Sequence, residues 1–163
     1  MNNTKISIGI YLPNREVDKE QIKKLIKIKD WLDNLKLSKL IIALPNVSNK
    51  IKEDLENLIS GLDVEFIYQD GKSNFLASIK DLLKEIDNKS DSEVNEDLIS
   101  QKISKLGDLD IIVKFGQKKV PSNFILEKSY SELFFVDEIS EFNEKSFSEI
   151  IKEFQERDRR FGA

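Results

Sequence analysis

The sequence predicts an α/β domain: a mostly parallel central sheet with helices on both faces. Short apolar, β-branched runs closed by Pro, Asn or Gly alternate along the chain with stretches whose apolar residues recur at helical spacing, and that alternation is the mark of crossover-connected parallel strands. The 163 residues contain no cysteine and are 39% hydrophobic, so a packed core rather than disulfides must hold the fold. At this length one domain covering residues 1–163 is expected.

Lys5 to Leu12 alternates and is stopped by Pro13-Asn14, which predicts the first strand. Asp18 to Lys36 reads as a helix. Asp18 stands three residues before Gln21 as in a capping box, and Ile22, Leu25, Ile26, Trp31, Leu32 and Leu35 form its apolar face. Lys39 to Leu44 predicts a second strand, stopped by Pro45-Asn46, and Asn49 to Ser60 a second helix, with Ile51, Leu55, Leu58 and Ile59 inward and Gly61 ending it. Val64 to Tyr68 predicts the third strand. After Asp70-Gly71, a helix over Ser73 to Ile86 is expected to bury Leu76, Ile79, Leu82, Leu83 and Ile86.

The polar stretch Asp87 to Glu93 predicts a loop, followed by a short helix from Val94 to Leu106 that Gly107 closes. Leu109 to Phe115 is apolar enough for an interior strand, and Leu133 to Val136 predicts a fifth. The last helix, Asn143 to Arg159, buries Phe147, Ile150, Ile151 and Phe154 and exposes Lys152, Glu153, Glu156 and Arg157. In such a sheet, ligands bind at the carboxyl ends of the strands.

Composition excludes much chemistry. With no cysteine and no histidine there is no thiol nucleophile, no Cys/His zinc site and no histidine acid–base catalysis. A net charge of −4 gives no support to nucleic acid as a partner. No apolar run approaches the ~20 residues of a membrane span, and Met1-Asn2-Asn3-Thr4-Lys5 does not resemble a signal peptide, so a cytoplasmic location is expected, with membrane contact only through a partner or a peripheral surface. Neither a Walker loop nor a dinucleotide fingerprint occurs. The chain has 22 lysines but only four arginines, Arg15, Arg157, Arg159 and Arg160, three of them in the last seven residues. Guanidinium retained there fits either a phosphate or carboxylate ligand or a helix C-terminus that favours cations.

Four segments in the last third carry a family resemblance: Asp110-Ile111-Ile112-Val113-Lys114-Phe115-Gly116, Ser122-Asn123-Phe124-Ile125-Leu126, Tyr130-Ser131-Glu132-Leu133-Phe134-Phe135, and Phe154 to Gly162 with Arg157-Asp158-Arg159-Arg160-Phe161-Gly162. In this order they resemble the cis-prenyltransferases, the family of undecaprenyl and dehydrodolichyl diphosphate synthases. The resemblance implies an α/β fold with a parallel sheet, and extension of an allylic diphosphate by isopentenyl diphosphate with Mg²⁺.

The departures from the family pattern carry equal weight. Catalytic members place an aspartate directly after the first strand, where it helps hold Mg²⁺ and the allylic diphosphate; here that turn reads Leu12-Pro13-Asn14-Arg15. The family's aromatic and acidic segment after the second strand is replaced by Ala43-Leu44-Pro45-Asn46-Val47. Lys114 and Val120 stand at two arginine positions and Lys118 at a glutamate position, leaving Ser122 and Asn123. Losing a metal ligand and a guanidinium removes much of the electrostatic stabilisation that diphosphate departure requires. The pattern is similar to the non-catalytic, Nogo-B receptor-type subunits of two-component enzymes.

That likeness implies no catalytic residue and no bound cofactor in this chain alone, with Mg²⁺ held in the active site of a catalytic cis-prenyltransferase partner. Arg160 and Gly162 would bind substrate in trans at the site shared with isopentenyl and allylic diphosphates, the arginine as a fork of donors and the glycine through close backbone approach. The resemblance implies an interface built from a helix over Ser122 to Leu126 with Ser122, Asn123 and Phe124, from Tyr130, Glu132, Leu133, Phe134 and Phe135, and from Phe161 anchoring the tail. The alternative is a degenerate homodimer that binds a diphosphate as sensor or scaffold without turnover. A rearranged metal site using Glu132 is the remaining route to activity in this chain. Lys118-Lys119 reads as solvated surface and Trp31 as packing.

Overall fold

Five parallel strands, β1 (Lys5–Tyr11), β2 (Lys36–Ala43), β3 (Val64–Ile67), β4 (Ile111–Phe115) and β5 (Glu132–Val136), pair in the order β3-β2-β1-β4-β5. The computed structural model describes residues 5–13, 17–32, 35–58, 63–103, 108–119, 121, 123–124 and 131–157. Outside them lie Asn14, Arg15, Ile59, Ser60, Gly61, Leu106, Gly107, Val120, Ser122, Ile125, Leu126, Tyr130, and the tail with Arg159, Arg160, Phe161 and Gly162. The helices are α1 (Lys19–Ile26), α2 (Asn49–Leu58), α3 (Gly71–Ile86), α4 (Glu96–Ile103) and α5 (Glu144–Glu156). Among the described residues no helix is long and apolar enough to cross a membrane.

The period of two along the strands sorts the core into two layers. Ile6, Ile8 and Ile10 of β1, Leu40 and Ile42 of β2, and Ile111, Val113 and Phe115 of β4 face one side, where Ile22 and Leu25 of α1, Leu55 of α2 and Phe147, Ile150 and Phe154 of α5 pack on them. Tyr11, Ile41, Ala43 and Ile112 face the other side, with Leu109 and Phe124. Right-handed crossovers put α1 and α2 on one face and the return from β3 to β4, through α3 and α4, on the other. Phe142 sits where the first layer is densest, fully buried with its ring centroid 5.3 Å from Phe115 and 5.9 Å from both Trp31 and Phe147.

The predicted capping box on α1 forms, and α5 has one that the sequence reading did not name. Asp18 accepts from the Gln21 N–H at 2.8 Å and Gln21 accepts from the Asp18 N–H at 3.1 Å, and Asn143 and Ser146 make the same reciprocal pair on α5. Asp70 caps α3, so that helix starts at Gly71, earlier than the Ser73 expected.

Three expectations need correction. The helix expected over Asp18 to Lys36 ends at Ile26 and tightens into a 3-10 turn, Lys27–Asp30, because β2 begins at Lys36. That early start is held by the Ser38 hydroxyl, which donates to the Ile6 carbonyl at 3.0 Å beside a register shift at Ile6/Ser7. In α3 the buried positions are Gly71, Ser78 and Leu82, while Leu76 is 50% and Leu83 56% exposed. Its apolar stripe is wider than the surface it meets. A helix does not run through Phe124, whose φ of 61° is left-handed. Its ring is buried over Gly9, where an added Cβ would lie 2.7 Å from Leu109 and 3.3 Å from Phe124, so glycine is what lets the loop after β4 close on β1.

The aromatic cluster gives the first prediction. Phe142→Ala should cost about 3–5 kcal/mol, the range for emptying a buried phenylalanine site, measured as a lower denaturant midpoint at unchanged slope.

Candidate functional site

Strand order reverses between β1 and β4. The connections after β1 and β4 therefore leave in opposite directions and open a crevice at their carboxyl ends, the usual ligand position in such sheets. The structure has a cleft of about 430 Å³ there, lined by Leu12, Pro13, Gln21, Phe115, Gly116, Asp137, Glu138, Ile139 and Ser140.

Each wall has a local cause. Leu12 continues the β1 ladder, its N–H donating to the Ala43 carbonyl, and the Asn46 amide donates to the Pro13 carbonyl at 2.8 Å, which ties the turns after β1 and β2 together. Gly116 has φ +84°, and its N–H donates to the Val136 and Asp137 carbonyls. A side chain is strained in that conformation, so glycine is needed to bend the chain after β4 towards β5. The Lys24 ammonium crosses from α1 to donate to the Ile139 and Ser140 carbonyls, each at 3.2 Å.

Among the described residues the charged side chains that line the cleft are acidic, and the Lys24 ammonium sits behind them on the Ile139 and Ser140 carbonyls. The lining carries Asp137 and Glu138 and, among the described residues, no Lys or Arg. The α1 N-terminus beside it, where helix dipoles ordinarily receive a phosphate, is closed by its own capping box. Among the described residues no three Asp or Glu side chains group as metal ligands. Asp137 and Glu138 line the cleft with Leu12 and Pro13, so its carboxylates follow β5, and the turn directly after β1, where the family pattern places the magnesium ligand, has no aspartate.

Glu132 does not repair it. It is the first residue of β5, paired with Ile111 at the start of β4, and so lies at the opposite end of the strands, roughly 16 Å from Asp137 at the strand rise. Glu132 and the cleft carboxylates Asp137 and Glu138 therefore stand too far apart to share one metal ion. Its carboxylate instead takes Nη1 of Arg157, whose Nη2 takes Glu153. The Arg157 Cζ lies 4.8 Å from the Phe134 ring centroid. These bonds, to Glu153 first and then to Glu132, raise the already high guanidinium pKa.

The other predicted residues divide. Asn123 and Phe124 are buried within the domain, and the Asn123 amide donates to the Gln69 carbonyl at 3.1 Å, which joins the loop after β4 to the end of β3. Phe134 is buried under Arg157 and α5. Leu133 and Phe135 are half-buried on the opposite face of the edge strand β5, Leu133 against the second layer and Phe135 in neither core cluster. Ser122, Tyr130, Arg160, Phe161 and Gly162 lie outside the described residues. The Asp137-Glu138 wall went unpredicted from sequence, although its place directly after a strand's carboxyl end was the available signal.

Lys114, at a family arginine position, is buried and turned to its own loop: its ammonium donates to the Lys119 carbonyl and lies 5.9 Å from the Tyr11 ring centroid. Desolvation, and then the charge of Lys119, lowers its pKa.

An open α/β sheet with its crevice at a topological switch point is the class defined so far. Within that class, the prenyltransferase family model described as "Putative undecaprenyl diphosphate synthase" matches residues 14–162, and the chain belongs to this family of cis-prenyltransferases, which make polyprenyl diphosphates. It is 39% identical over 98 residues to the tritrans,polycis-undecaprenyl-diphosphate synthase (geranylgeranyl-diphosphate specific) of Pyrococcus abyssi, covering 56% of this chain and 37% of that protein. It is 32% identical over 113 residues to an isoprenyl transferase of Listeria monocytogenes, covering 63% of this chain and 44% of that one. The chain thus spans less than half the length of these curated relatives. The crystal structure of a probable undecaprenyl diphosphate synthase from Campylobacter jejuni superimposes with a TM-score of 0.61, covering 97% of this chain and 99% of that one. At 17% identity, that likeness bears on the fold alone.

Lys114 gives a prediction with a definite sign. A lysine with a lowered folded pKa binds fewer protons in the folded than in the unfolded state at pH values between its folded pKa and ~10.4. Stability attributable to Lys114 therefore rises with pH across that window. Urea unfolding of the wild type and Lys114→Met from pH 8 upwards should show the wild type gaining on the variant as pH increases; a flat difference would contradict the assignment.

Proposed function

We propose that this chain is the non-catalytic accessory subunit of a heteromeric cis-prenyltransferase that makes polyprenyl diphosphate, the precursor of a glycan carrier lipid. The cleft supports the reading: at the switch point stand Leu12 and Pro13 with Asp137 and Glu138, and Lys24, whose ammonium reaches this wall, is held on the Ile139 and Ser140 carbonyls. A diphosphate placed there meets like charge, worth about 1 kcal/mol per pair at 4 Å even in bulk water and more in a cleft. The same lining weighs against the degenerate homodimeric diphosphate sensor, which needs this cleft to bind an anion.

In this reading the catalytic partner supplies the Mg²⁺ site and binds the isopentenyl and allylic diphosphates. This chain contributes Arg160 and Gly162 in trans, with Phe161 as the tail's apolar anchor. Leu133 and Phe135, half-buried on the same face of β5, supply apolar contact area for the partner. Contact with a membrane is peripheral and made through the complex.

Isopentenyl diphosphate incorporation with Mg²⁺ and an allylic primer tests this, using the chain alone, the catalytic partner alone and the two together. Turnover only in the mixture is expected, and turnover by this chain alone would overturn the reading. In the complex, Arg160→Ala should leave assembly intact and lower turnover about 10²-fold, the scale for losing one transition-state donor. Phe135→Glu should instead abolish co-elution of the two chains while this chain keeps its own melting temperature within a few degrees.

A further inference from the structure

Arg157 is the last described residue, and its environment is unlike that of any other described cation. It caps α5 with its N–H on the Glu153 carbonyl at 3.2 Å, and its φ of −73° and ψ of 132° turn the chain from helical to extended. Its guanidinium bridges two carboxylates from different elements, Glu132 at the start of β5 and Glu153 in α5, with the plane over Phe134. Only a planar fork of donors can join two carboxylates and stack on a ring at once; an ammonium is a point charge. In a chain with 22 lysines and four arginines, that geometry accounts for the choice of arginine here.

Stability does not account for it. The Arg157 side chain is 38% exposed, and exposed ion pairs contribute little to folding. What the bridge does is geometric: it fixes the end of α5 to the edge strand at the point from which residues 158–163 depart. Arg160 follows three residues later, within about 10 Å of chain. A group that must reach a reacting centre in another subunit loses less freedom on arrival if its root is already fixed.

We infer that Arg157 is a positioning residue: by bracing Glu153 of α5 to Glu132 of β5 across the Phe134 ring, it sets the root and departure direction of the segment bearing Arg160 and Gly162. This inference rests on the proposed donation of that segment in trans. It also gives Glu132 a role in holding the brace, at the far end of the strands from this chain's own cleft.

The test is a double-mutant cycle in the assembled complex with the catalytic partner, reading kcat and KM for isopentenyl diphosphate, co-elution and melting temperature for Arg157→Ala, Arg160→Ala and the double variant. Arg157→Ala should keep assembly and lower kcat about tenfold, and it should cost nothing further once Arg160 is alanine. Arg157→Lys should recover only part of the loss, and Glu132→Gln, which keeps the strand and removes one charge, should lower kcat in the same direction. An equal loss from Arg157→Ala with or without Arg160 would overturn the inference, because the residue would then act through folding or the interface. Unchanged kcat in both Arg157→Ala and Glu132→Gln would overturn it as well. If Arg160→Ala itself leaves kcat unchanged, the donation reading fails and the positioning role falls with it, an outcome distinct from loss on Arg160→Ala alone.

Discussion

The double pairing of β1 is the constraint on which the rest of the molecule depends. It runs parallel to β2 on one side and to β4 on the other, so every residue of it after Lys5 is buried, its isoleucines on one face and Ser7, Gly9 and Tyr11 on the other. Where β1 and β4 begin, Ser7 fixes their register: its N–H and hydroxyl both donate to the Asp110 carboxylate, at 2.9 and 2.8 Å, and the Asp110 N–H donates back to the Ser7 carbonyl. Where they end, the two chains must part, because one crossover leads to β2 and the other to β5. The cleft is the geometric consequence of that parting, and it exists whatever residues line it.

What lines it here has been turned to structural use. The first turn of α1 gives its Gln21 N–H to the Asp18 side chain, Gly116 gives its N–H to the carbonyls at the end of β5, and Lys24 gives its ammonium to the 3-10 turn Ile139–Glu141. Lys114 stands where the family places a guanidinium, yet it closes its own loop through the Lys119 carbonyl. Each of these donors is of a kind that could serve an anion, and each has a partner within the chain. A family fold can persist while the charges that made one of its crevices a site are reassigned, since the fold depends on the apolar layers and not on the crevice lining. A likeness covering 97% of this chain at 17% identity fits that separation.

Strands and caps were legible in the sequence for the same reason. An interior parallel strand must be apolar on both faces, and a capping box is a local arrangement four residues long, so Ile111–Phe115 and Asp18 with Gln21 announce themselves. The end of α1 was less legible. Lys27–Asp30 keeps an apolar spacing that suits an α-helix and a 3-10 turn alike, and the choice is forced from outside by the β2 register at Lys36. In α3, periodicity identifies the apolar stripe but cannot say how much of it finds a neighbour, which is why Leu76 and Leu83 emerge exposed. The pairing of Glu132 with Arg157 spans 25 residues and two elements, so nothing local in the sequence foretells it.

The two edges of the sheet differ in how they are protected. Edge strands expose unpaired backbone groups and are ordinarily protected by charge, shortness or cover. β3 is four residues long and turns Glu65 to solvent. β5 is five residues long, carries Leu133, Phe134, Phe135 and Val136 in succession, and has its one charged residue, Glu132, held by Arg157. Phe134 and Val136 are taken by the first layer and Leu133 packs on the second, which leaves Phe135 half-buried in neither, on a strand that pairs on one side only among the described residues. An edge so apolar is a liability in isolation and an asset in an assembly. The Arg157 brace ends at this same edge, so the end of α5 is tied to the start of β5 beside that apolar run.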